Sequence, residues 1–185
     1  MRRLLRVAGA LPIWARIAWW GLVSPRTERA PLVVHQAVVE SDGEVLLGVR
    51  SDLQGWELPG GSAGPGESGE DAVRREIREE TGLEVEIVAH VGEYVRTGFR
   101  PHTARIYRCR PVGGSLRPSI ETLEVRWFAI HAIPDTLFPW YRTPLADALA
   151  AHDAPLRRRE RWGAREILEG IWIDLRMRAS RDRAG

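Results

Sequence analysis

The chain has 185 residues, 44% of them apolar, and a formal net charge of only +2. That length suits one compact domain with added elements, and the charge excludes a strong field for DNA or a membrane surface. All 27 basic residues are arginine and the one cysteine is Cys109, which excludes lysine nucleophiles, an intramolecular disulfide and a cysteine metal cluster, and suggests a reducing, cytoplasmic setting.

Met1 to Val23 joins Arg2, Arg3 and Arg6 to an apolar stretch, a superficial likeness to a signal peptide. Pro12 and Arg16 interrupt it, no A-x-A site follows, and the uncharged run to Arg26 is too short to span a bilayer. The expectation is a Trp-rich helix from about Pro12 with Ile13, Ile17 and Trp20 on one face. It packs on its own domain or makes a homodimer, and membrane attachment is not expected. Ser24-Pro25-Arg26 leads into the main domain. Leu32 to Val39 and Glu44 to Val49 read as a hairpin about Ser41-Asp42-Gly43. Trp56-Glu57-Leu58 precedes Pro59-Gly60-Gly61. Ser68 and Asp71 resemble a capping box, the helix runs to about Thr81, and Gly82 fits its C′ position. Leu83 to Val95, Ala104 to Cys109 and Val125 to Ile130 read as strands, with a turn at Pro111-Val112-Gly113-Gly114. A helix around Pro144 to Ala151 follows, then a last one from about Arg161 to Met177. Leu168, Ile171, Trp172 and Leu175 form its expected apolar stripe. Arg157, Arg158, Arg159 and Arg161 read as a solvated basic patch.

The segment from Gly61 to Leu83 carries the chemistry. Gly60 and Gly61 let backbone approach a ligand closely. Glu76, Glu79 and Glu80 share one helical face, where they repel one another unless a cation sits among them. Oxygen donors of this kind suit Mg²⁺. Val73 and Ile77 lie beside that face to anchor the helix, and Arg75 lies on the other flank within reach of Glu67.

The spacing Gly-x5-Glu-x7-Arg-Glu-U-x-Glu-Glu-x-Gly-U, with U aliphatic, resembles the Nudix box at every fixed position: Gly61, Glu67, Arg75, Glu76, Ile77, Glu79, Glu80, Gly82 and Leu83. The resemblance implies an α/β fold, a Nudix α/β/α sandwich with a mixed sheet, plus extra helices at both ends. The expected division is a helical extension at 1–28, the hydrolase domain at 29–152 and an Arg-rich helix at 153–185. It also implies hydrolysis of a diphosphate linkage in a small-molecule nucleotide. Glu76, Glu79 and Glu80 then hold Mg²⁺ or Mn²⁺ with the Gly60 carbonyl, and Glu67 with Arg75 forms a structural ion pair.

For the proton acceptor, the resemblance leaves a box glutamate or a later carboxylate. Glu121 is favoured over Glu124 because its more distal loop position gives reach. Arg50, Arg96 and Arg100 are candidates for phosphate. Trp56, Phe99, Tyr94 and Tyr107 are candidates for stacking on a base. His102 shows no metal-ligand spacing, and Cys109 reads as core. Two other functions stay open: a nucleotide-sensing module without turnover, and an RNA 5′-end pyrophosphohydrolase using the arginines at 157 to 161.

Overall fold

The computed structural model describes residues 11–23, 32–99, 101–150 and 152–180, with side chains of the first helix as far as Trp19. Ser24-Pro25-Arg26, Arg100, the arginines at 2, 3 and 6 and the side chain of Trp20 lie outside the described residues. In chain order the elements are α1 (Leu11–Val23), β1 (Val33–Ser41), β2 (Glu44–Arg50), β3 (Trp56–Glu57), β4 (Gly60–Gly61), α2 (Gly69–Thr81), β5 (Leu83–Gly98), β6 (His102–Gly114), β7 (Thr122–Ala129), a 3₁₀ turn (Ile130–Ala132), α3 (Pro139–Ala150), β8 (Leu156–Trp162) and α4 (Ala164–Ser180).

The strands form one mixed sheet that splays at the β1–β2 hairpin. β1 runs parallel to β6 and antiparallel to β4. It meets β2 only at the turn, and β2 then leaves to pair with β3 and β7. On the other side β6 pairs with β5 antiparallel, and β5 with β8 parallel. The period-two alternation of β1 divides the core. Ala37 and Val39 face α2, packing with Val73, Ile77 and Cys109. Val34 and Val38 face the opposite side, with Trp14 and Ile17 of α1, Trp140 and Leu145 of α3, and Ile173 of α4. Helices therefore cover both faces of a mixed sheet, as the motif implied.

The ends of α2 follow their sequence signals. Ser68 Oγ accepts from the Asp71 N–H at 3.1 Å, and Gly82 takes φ 76° with its N–H donating to Arg78 O.

Four sequence expectations are corrected. The apparent turn at Pro111 to Gly114 lies within β6, because register shifts in the β5–β6 ladder let the pairing pass the proline. α3 begins at Pro139, and Pro144 lies inside it. The start signal belongs to the earlier of two prolines. Residues 156–162 form a strand, β8, and the last helix starts only at Ala164. On one face of β8, Arg158 binds Asp147, Glu160 binds Arg96 and Trp162 is buried. Arg157, Arg159 and Arg161 on the other face are exposed. Finally, α4 buries Gly170, Ile173, Asp174 and Arg178; Ile171 and Leu175 of the expected stripe pack on the core, while Leu168 and Trp172 stay 65% and 55% exposed. Hydrophobic periodicity missed this because half of the inward face is an ion pair. Among the described residues no helix is long and apolar enough to cross a membrane.

Candidate active site

The Gly60–Gly61 strand lies against β1, with Gly60 opposite Gln36 and Gly61 opposite His35. Gly60 has φ +141°, and a side chain there would strike the His35 carbonyl and the Gln36 backbone. A side chain at Gly61 would strike the Glu76 carboxylate. Gly60 is closed to larger residues, and a side chain at Gly61 would have to displace the Glu76 carboxylate, so the loop brings backbone directly against the carboxylate face of α2. The Gly60 N–H donates to Glu80 Oε2 at 2.9 Å.

Arg75 gathers the remaining box acids. Its Nε and Nη2 donate to the two Glu67 oxygens at 2.8 and 3.0 Å. Nη1 donates to Glu76 at 2.8 Å and to Glu79 at 3.2 Å, and Nη2 also reaches the Ser62 carbonyl. This forked pairing holds the Glu67 carboxyl down at about 2, helped by the Gly64 N–H. Glu79 lies on the exposed side of the cluster.

Glu80 differs in character. It is 5% exposed, and burial pushes its carboxyl up to about 7, with the Glu76 and Glu121 charges adding to the rise. The Gly60 N–H and Arg50 act in the opposite direction. Glu57 is buried as well, and its carboxyl rises to about 8, chiefly through desolvation. Arg50 lies 3.9 Å from Glu57 and 4.0 Å from Glu80, and Asp52 orients it at 3.0 Å.

Arg50, Asp52, Glu57, Gly60, Gly61 and Glu76 border a cavity of about 340 Å³ that Glu79 and Glu80 do not line, within the range of about 300–1,000 Å³ usual for small-molecule sites. Of the expected residues, Arg50, Gly60, Glu76, Arg96 and Glu121 line it. Trp56 and Phe99 do not. Trp56 is 5% exposed and packs edge-on against Phe128, with Arg126 over its ring. Phe99 packs against the core. Tyr94 donates to Asp147, and Tyr107 faces His35 on the α2 side of the sheet. Arg96 reaches the cavity but is 2% exposed, and it donates to Glu160 and the Trp140 carbonyl with His102 alongside. It braces the wall. Glu124 turns to Arg126. Cys109 is core, with burial pushing its thiol up to about 12.

Sequence reasoning missed three groups on this cavity. Glu57 stands in the approach to the box, where its carboxylate is visible but its burial is not. Gln36 and Tyr141 come from β1 and α3, and Tyr141 Oη donates to Glu57 at 3.2 Å while accepting from Gln36 Nε2 at 3.2 Å. The third is α1, whose Ile13, Trp14, Arg16 and Ile17 reach the same cavity.

Glu57, Glu76 and Glu121 present carboxyl oxygens to the cavity, donors of the kind a hard divalent cation takes, while among the described residues no three His, Cys, Asp or Glu side chains are grouped closely enough to hold a metal ion. Arg75 holds Glu76, and Gly60 holds Glu80.

The NUDIX domain family model matches residues 29–148. A MutT-like protein of Streptomyces ambofaciens is 39% identical over 116 residues, covering 63% of this chain and 75% of that protein. The CTP pyrophosphohydrolase of Escherichia coli strain K12 is 46% identical over 77 residues, 40% of this chain and 54% of the relative. The crystal structure of an ADP-ribose pyrophosphatase from Streptococcus suis 89-1591 superposes with a TM-score of 0.59 at 27% identity, over 71% of this chain and 100% of the other.

Proposed function

The chain belongs to the NUDIX family of hydrolases, and from that premise we propose that it cleaves the diphosphate linkage of a nucleoside diphosphate derivative with the help of Mg²⁺ or Mn²⁺. One observation carries the proposal: Glu76 of the box, the Gly60–Gly61 backbone that holds Glu80, Arg50 and Glu121 meet at one cavity. Relatives named for CTP and for ADP-ribose support a nucleotide substrate without selecting one.

In this proposal Glu76 and Glu80, with the Gly60 carbonyl, hold the cation, and Glu79 stands beside them on the exposed side. The bound cation offsets diphosphate charge and makes a coordinated water more acidic. Arg50 lies between buried acids, with its guanidinium available to a phosphate oxygen. Glu121 accepts the proton of the attacking water. Glu67 and Arg75 keep the loop folded over the start of α2, as their paired hydrogen bonds suggest. A cytoplasmic small-molecule role accords with these features.

Purified protein with Mg²⁺ is expected to hydrolyse members of a panel of nucleotide sugars, dinucleotides and nucleoside triphosphates. Glu76→Gln and Glu80→Gln should each lower kcat by about a hundredfold or more. Full activity in both variants overturns the proposal.

An RNA 5′-end substrate is a second reading. Arg157, Arg159 and Arg161 alternate along β8 and project to the face where Arg105 meets Glu93. No carboxylate among the described residues pairs with those three arginines. Release of 5′ diphosphate from RNA, lost on changing all three to glutamine, would favour it.

A further inference from the structure

The lining of the cavity joins the acids and glycines of the motif, Gly60, Gly61, Glu76 and Glu121, to the side chains Ile13, Ile17, Leu32, Trp140 and Trp162, with Arg96 and His102 against Trp162. Ile13, Ile17 and Trp162 come from segments outside the matched NUDIX domain, which spans residues 29–148.

The helix α1 is fixed as part of that lining. Trp14 Nε1 donates to Asp174 of α4 at 2.8 Å, and Asp174 is fully buried. The same carboxylate accepts from the Gln54 N–H at 2.7 Å and from Arg178 Nε at 2.8 Å. Arg178 in turn donates to the Asp52 carbonyl, and the Asp52 carboxylate holds Arg50. A continuous hydrogen-bonded path therefore ties α1 to the arginine that stands over the buried acids.

Gln36 borders the same cavity. It is 7% exposed and pairs through its backbone with Gly60. Its Nε2 donates to Tyr141 Oη, and that hydroxyl donates its own proton to Glu57. With Nε2 turned to Tyr141, Gln36 Oε1 is left as a buried acceptor with no hydrogen-bond partner among the described residues. A buried acceptor without a donor is costly unless something supplies one. An orphaned carbonyl oxygen beside aliphatic and aromatic side chains suits a flat ring that carries an N–H.

Resting on the hydrolase proposal, we infer that α1 and Gln36 form a nucleobase seat: the base lies in the cavity against Ile13 and Ile17 of α1, and its amino or imino N–H donates to Gln36 Oε1. α1 is then a specificity element that the family domain lacks.

The test is calorimetric binding of AMP, GMP, CMP and purine riboside 5′-monophosphate, which has the ring without an N–H, to the full chain with Mg²⁺. At least one of the first three should bind about tenfold more tightly than purine riboside monophosphate. Gln36→Met should remove that preference. Ile17→Ala should weaken all ringed ligands, and Ile13→Ala, at a half-buried position, serves if Ile17→Ala unfolds. Equal binding by the native protein, a preference that survives Gln36→Met, or no nucleotide binding up to millimolar concentration overturns the seat. Binding preference without any hydrolysis would sink the hydrolase proposal and leave the seat standing. Hydrolysis without preference would sink the seat alone.

Discussion

Glu121 and Glu124 stand three residues apart, yet only Glu121 borders the cavity. Glu124 opens no path to the substrate, because Arg126 draws its carboxylate along the β7 surface. Glu121→Gln is therefore expected to lower kcat by about a hundredfold with little change in KM. Glu124→Gln should stay within about twofold of the native rate. Equal losses in steady-state kinetics would move the base elsewhere. At this scale the local pairings were legible in the sequence: Glu67 with Arg75, Ser68 as the cap and Gly82 at the end of α2 each depend on residues close along the chain. Gln36, Glu57 and Tyr141 were not legible, because sheet pairing and helix docking bring them together across separations as large as 105 residues. Aromatic type alone also misassigned Trp56 and Phe99, whose rings the core needs more than the cavity does.

Between elements, one carboxylate carries several connections. Asp174 satisfies Trp14 of α1, the Gln54 N–H before β3, and Arg178 one turn along α4. Such a group is invisible to hydrophobic periodicity, which is why only Ile171 and Leu175 of the expected α4 stripe pack on the core while Leu168 and Trp172 face outward. The edge strand β8 was hidden for a related reason. Its arginines suggested solvent, but alternate residues of the strand meet buried partners on α3 and β5. Asp174→Ala removes the shared acceptor and takes from the buried Arg178 guanidinium the carboxylate that its Nε binds. The expected cost is about 3–5 kcal/mol, read as a lower urea midpoint with an unchanged slope. A change under about 1 kcal/mol would mean that water or a rearranged side chain replaces Asp174, and that the link from α1 to Arg50 is weaker than its geometry suggests.

The molecule as a whole concentrates like charge at one place, and this sets how its stability responds to pH. The Glu80 and Glu57 carboxyls are pushed up to about 7 and about 8 in the fold, against about 4.3 in an unfolded chain. Between those values the folded protein binds more protons than the unfolded one, so stability falls as pH rises through this window. His35 works in the opposite sense: burial lowers it, so its contribution grows as pH rises toward its unfolded value of about 6.5. Glu67, Asp52 and Asp147 are lowered, and their contribution is lost only as pH falls below the ordinary carboxylate range. With chelator present, stability should drop by on the order of 3 kcal/mol between about pH 5 and pH 8, the two buried acids outweighing one histidine. Mg²⁺ should restore much of that loss near pH 8 and change little near pH 5, where protonated acids compete with the cation. Thermal melts at both pH values, with and without Mg²⁺, measure the four states. A cation effect equal at both pH values would dissociate the buried carboxylates from the metal site. Stability that rises from pH 5 to pH 8 in chelator would show that Arg50 holds Glu57 and Glu80 ionised without help.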